Sequence, residues 1–127
     1  MDLKRLKIKK EISEIVGKTC QVRDFYHGAI NVGKVIAVIG LPSQTFELFA
    51  QSGPKIYQTE IDVNVDILGE SLNEVDEIAQ EINSGVLGRF DSIDLLNIQM
   101  LHNFESDVKI NGIRLSYVFK GQVVQEA

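Results

Sequence analysis

The chain has 127 residues, 44% of them hydrophobic and 24% charged, with a net charge of −5 at pH 7. These are values of an ordinary globular protein and exclude wholesale disorder; the length suits a single domain over residues 1–127. No apolar run approaches the roughly 18 residues that a membrane span needs, and the basic footprint of a nucleic-acid binder is missing.

Met1-Asp2-Leu3-Lys4-Arg5 is charged and leads into no apolar core, so no secretory signal is expected. The single cysteine, Cys20, has no partner for an internal disulfide, which suits a reducing compartment. Charge is distributed unevenly. Residues 1–18 carry six Lys/Arg against three Asp/Glu, whereas residues 60–83 carry eight Asp/Glu and no Lys or Arg. That second block repels phosphate.

In chain order, residues 2–16 read as an amphipathic helix. Leu3, Leu6, Ile12, Ile15 and Val16 fall near one stripe, with Asp2 as N-cap and Gly17-Lys18 as the stop. Cys20–Tyr26 reads as a strand closed by a His27-Gly28 turn. Val35–Ile39 is apolar throughout, which predicts a strand buried on both faces. Gly40-Leu41-Pro42-Ser43 breaks it. Phe46-Glu47-Leu48-Phe49 is apolar between polar flanks and fits either a short strand or part of a long loop.

The strongest pattern follows. Tyr57, Thr59, Ile61, Val63, Val65 and Ile67 alternate with Gln58, Glu60, Asp62, Asn64 and Asp66. A period of two over this length predicts a long antiparallel strand with one core face and one polar face. Ser71-x-x-Glu74 matches a capping box, opening a helix with Leu72, Val75, Ile78, Ala79 and Ile82 on one stripe and an end near Asn83-Ser84-Gly85. Leu96, Ile98, Met100, His102 and Phe104 alternate with Asn97, Gln99, Leu101 and Asn103 as a further strand. Asp107–Gly112 reads as a loop with an Asn111-Gly112 turn, before a closing strand with Ile113, Leu115, Tyr117 and Phe119 on one face. The assembly expected is α+β: a mostly antiparallel sheet of four to five strands with two helices packed on one face.

No catalytic constellation emerges, and no enzyme activity, cofactor or metal is expected. Gly33-Lys34 lacks the spacing of a P-loop, and Gly85-x-x-Gly88 does not follow a strand in the manner of a dinucleotide fold. His27 and His102 are 75 residues apart, with no metal-binding spacing, and Cys20 reads as a small buried hydrophobe. The carboxylates of residues 60–66 could bind a divalent cation or divide acid and base roles, but a solvated strand face is the simpler account.

The succession of N-terminal helix, Val35–Ile39 strand, polar loop Pro42–Lys55, long strand Tyr57–Ile67, helix Ser71–Asn83 and terminal strand pair resembles the tail-terminator, or tail-completion, proteins of long, non-contractile-tailed bacteriophages. The resemblance covers nearly the full chain as a layout, without an invariant motif. It implies a structural virion protein, assembled in the host cytoplasm and located at the head–tail interface. Copies would form a ring, commonly six-fold, that caps the tail tube, ends its polymerisation and meets the head-completion connector. Such a ring needs two complementary patches per subunit. Phe46, Leu48 and Phe49 are the candidates for one. DNA would pass through the lumen without specific binding, and Glu60, Asp62 and Asp66 are candidates for its acidic lining. A head-side connector or minor capsid component of the same layout is an alternative, as is a small adaptor that binds a basic partner through its acidic face.

Overall fold

Residues 4–23, 35–50, 55–90, 93–101 and 111–125 are described in the computed structural model. They form α1 (Lys4–Gly17), β1 (Gln21–Arg23), β2 (Ile36–Ile39), β3 (Ser43–Ala50), β4 (Lys55–Gly69), α2 (Leu72–Arg89), β5 (Ile93–Leu101) and β6 (Asn111–Gln125). The strands make one sheet in the order β1-β2-β4-β6-β5. β3 pairs with β4 along residues 56–62, and β2 pairs with the same edge further on, along residues 65–68. Among the described strands only β1 and β2 run parallel. The α+β class and the mostly antiparallel sheet are as expected. Among the described residues six strands are present rather than four to five, because Phe46–Phe49 lies within a full strand, β3.

The alternation of β4 explains the sheet's two faces. Ile61, Val63, Val65 and Ile67 are buried, and each stands opposite an apolar residue of β6: Phe119, Tyr117, Leu115 and Ile113. Ile12 and Val16 of α1 and Val75, Ala79, Ile82 and Val86 of α2 close this face, together with Ala37 and Ile39 of β2. Both helices therefore lie on one side of the sheet. β2 is buried on both faces, as its apolarity requires: Ile36 and Val38 join Leu68 and Leu101 in a smaller cluster on the opposite side.

Ser71 caps α2, its hydroxyl accepting a hydrogen bond from the Glu74 backbone N–H at 3.4 Å. The helix runs to Arg89, past the expected stop at residues 83–85. Gly85 is a packing residue there. A Cβ at this position would sit 2.9 Å from Cγ2 of Ile15, so its absence lets α1 approach α2. In α1 the expected stripe holds at Ile12, Ile15 and Val16 but fails at Leu6, which is 63% exposed. At 3.6 residues per turn Leu6 falls about 120° from Ile12, away from the core.

Two expectations in the last third are corrected. In β5 the register shifts between Leu95 and Asn97. Ile93 and Leu95 pack on the core before this bulge, whereas Ile98 and Met100 after it lie on the same sheet face at the edge and are exposed. Asn111-Gly112 is not a turn but the start of β6, paired with Gly69 and Leu68. The Asn111 side chain donates to the Glu70 carbonyl at 2.9 Å, and a Cβ on Gly112 would lie 2.8 Å from Leu68 Cδ2. Asp2, Leu3, residues 24–34 with the His27-Gly28 turn and Gly33-Lys34, residues 51–54, His102, Phe104 and residues 107–110 lie outside the described residues.

Candidate functional site: the open sheet face and the hairpin

Because both helices cover one side, the polar half of β4 stands on an open face. Gln58, Glu60, Asp62 and Asn64 are all exposed there. Strand pairing adds neighbours to that face. Glu60 is flanked by Thr45 of β3 and Lys120 of β6, and Asp62 by Ser43 and Val118. Asp94 of β5 stands on the far side of Val118, so it and Asp62 are about 10 Å apart, two strand spacings. Glu47 lies beside Gln58. Sequence reading missed Glu47 and Asp94. The signal was the same period of two, carried into segments whose strand boundaries are weakly marked.

Asp66 does not belong to this exposed set. It is 3% exposed and ion-paired with Arg114, which donates from Nε to Oδ1 at 2.7 Å and from Nη2 to Oδ2 at 2.9 Å. Burial follows from its position in the strand, between Val38 of β2 and Arg114 of β6. With this pair neutralised, Glu47, Glu60, Asp62 and Asp94 outweigh Lys120 among the described side chains of the open face.

β3 and the first half of β4 form a hairpin whose helix-side face carries Phe46 and Leu48, cross-strand from Thr59 and Tyr57. Phe46 is 42% exposed and meets Tyr57 edge-on, with ring centroids 6.4 Å apart. Leu48 is also exposed. Phe49 lies beside the register shift between Leu48 and Ala50, with its side chain outside the described set. A polar relay anchors the hairpin to α1. Arg5 Nη1 donates to Gln44 Oε1 at 3.2 Å, Gln44 Nε2 to Thr59 Oγ1 at 2.9 Å, and Thr59 Oγ1 to the Thr45 carbonyl at 2.8 Å. The relay satisfies Thr59, a polar residue buried at the end of the apolar row of β4.

Cys20 is half-buried, and desolvation pushes its thiol up to about 11, so it is neutral at physiological pH. Burial also raises Tyr117, whose hydroxyl donates to Asn83 Oδ1 at 2.8 Å. Among the described residues no three His, Cys, Asp or Glu side chains converge as a metal site, and no helix is long and apolar enough to cross a membrane.

No protein-family model and no curated protein matches the chain. Among solved structures it is similar to a chain of "Virion of native gene transfer agent (GTA) particle", at 12% identity and a TM-score of 0.48, covering 96% of this chain and 90% of that one. At that score and identity the likeness identifies neither a family nor a function.

Proposed function

We propose that the protein is a non-catalytic structural component of a tailed-phage-like virion, a tail-terminator-like subunit whose copies form a ring on the end of the tail tube. The observation that carries this reading is the two-faced sheet: one side is closed by both helices, and on the other the stretch of β4 from Gln58 to Asn64 is exposed, polar and net acidic, beside the small buried cluster of Ile36, Val38 and Leu68. A ring that turns this open face inward presents carboxylates to passing DNA, and their repulsion of phosphate keeps the duplex from sticking. Glu60 and Asp62 from the expected set fit such a lining, and Asp94 and Glu47 join them. Asp66 leaves the set, since its charge is spent on Arg114. Exposed Phe46 and Leu48 suit one of the two patches that a head-to-tail ring requires. The gene-transfer-agent neighbour is a virion component, but at its TM-score it supplies no argument for the reading.

The test adds purified protein to polymerising tail-tube protein and follows tube length by negative-stain imaging. Rings at tube ends and arrested growth are expected. Tubes that keep growing, with no density at their ends, would overturn the terminator role. Binding to a head connector instead of the tube would favour the head-side component of the same layout.

A further inference from the structure

The chain holds seven asparagines, and only Asn111 is followed by glycine. In an unfolded chain that pair is chemically labile. The backbone nitrogen of Gly112 attacks Cγ of Asn111, the new N–C bond closes a succinimide ring, and ammonia leaves. Water then opens the ring at either carbonyl, giving aspartate or isoaspartate at position 111. A side chain on the following residue hinders the attack, so the other asparagines, each followed by a larger residue, react more slowly.

The fold holds both halves of this pair. Asn111 and Gly112 open β6 opposite Gly69 and Leu68 of β4. Gly112 also has Leu101 of β5 on its other side, so a paired strand flanks its N–H whichever neighbour it faces. In a strand the Asn111 side chain stands off the sheet while the next N–H lies in its plane, which keeps the two reacting atoms apart. The amide is tied down as well: Asn111 Nδ2 donates to the Glu70 carbonyl at 2.9 Å, one residue ahead of the Ser71 cap. Packing in turn requires the glycine. A Cβ at position 112 would lie 2.8 Å from Cδ2 of the buried Leu68 and 3.1 Å from Leu101 Cβ.

We infer that Asn111 is a modification site sealed by the fold: it converts to aspartate or isoaspartate only when the start of β6 lifts out of the sheet. Each product then opposes reclosure. Aspartate sets a carboxylate oxygen against the Glu70 carbonyl, two acceptors with no hydrogen between them. Isoaspartate adds a methylene to the main chain and displaces the pairing of position 111 with Gly69. The chemistry needs only water and is independent of the ring reading above.

The test ages the full-length protein at pH 8 in two samples, one native and one unfolded in guanidinium chloride. Peptide mapping by mass spectrometry follows every asparagine in both. In the unfolded sample Asn111 is expected to convert first, with isoaspartate confirmed by enzymatic methylation. In the native sample its conversion is expected to be at least about tenfold slower, set by opening of the strand end. Gly112→Ala is expected to slow the reaction in the unfolded chain, where the added methyl meets no packed neighbour. Asn111→Asp, which carries one product's charge and lacks the amide donor, is expected to melt below the wild type. Equal rates in the two samples would overturn the seal. An unfolded chain in which Asn111 lags the other asparagines would overturn the site, and an Asn111→Asp protein as stable as the wild type would overturn the effect on reclosure.

Discussion

Asp66 and Arg114, 48 residues apart in the chain, face each other across β4 and β6 as a bidentate ion pair. The two partners are unequally placed: the Asp66 side chain is nearly buried, whereas that of Arg114 is about one-third exposed. Removing the arginine takes two charge-assisted hydrogen bonds from a carboxylate in a low-dielectric position; removing the aspartate takes them from a guanidinium that water can reach. Arg114→Met is therefore expected to cost about 3 kcal/mol and Asp66→Asn about 1–2 kcal/mol. Urea unfolding of both variants checks the order, and equal or reversed losses would contradict it.

The two glycines late in α2 are expected to respond oppositely to alanine. Gly88 has nothing within 4 Å of an added Cβ, so Gly88→Ala should gain about 0.5–1 kcal/mol from helix propensity. At Gly85 the new methyl meets the branched side chain of Ile15 at 2.9 Å, and overpacking of about 1–3 kcal/mol offsets that gain. Thermal melts should show Gly88→Ala above wild type and Gly85→Ala at or below it.

Cys20 gives a pH signature. Its thiol titrates near 11 in the fold, against 9.0 unperturbed, so between these values the folded state holds a proton that the unfolded state has lost. The contribution is fully present below pH 9 and is lost as pH rises towards 11. Cys20→Ala should flatten that part of the stability–pH curve. Iodoacetamide at pH 8 should label native Cys20 about 100-fold more slowly than the urea-unfolded chain, from thiolate fraction alone. Equal rates would show that the thiol is not desolvated.

The open-face carboxylates should matter to function and little to folding. Glu60→Lys/Asp62→Lys alters exposed positions, and each change is expected to shift stability by no more than about 0.5 kcal/mol. In assembled particles the same protein should retard DNA ejection. Normal ejection with a lysine-bearing face would show that this surface does not line the passage.

The fold was legible wherever one residue's fate is set by its immediate neighbours. The period of two in β4, the apolar run of β2 and the Ser71 cap each act within a few residues, and each appears where expected. Features decided by distant partners were not legible. Asp66 looks the same as Asp62 in the local pattern, and only the register with Arg114 separates a buried charge from a solvated one. Gly85 has the local character of a helix stop, yet it serves the approach of Ile15 from another helix. In β3 the helix-side position of Gln44 goes to a polar residue, hidden from any hydropathy pattern because its amide belongs to the Arg5–Thr59 relay. Ile98 and Met100 share the core-side face with Ile93 and Leu95, but they stand on the edge strand β5 and are exposed there, which the local alternation does not reveal.

The division of one edge of β4 between two partners has a mechanical consequence. Residues 65–68, clamped by β2 and β6, sit over the main core, whereas residues 56–59 are held by β3 and β6 in the hairpin, where Phe46 and Leu48 remain exposed. A single continuous strand is thus rooted at one end and cantilevered at the other. Amide exchange along it should be graded, slowest near Val65 and fastest toward Ile56, with the hairpin loosening before the root lets go.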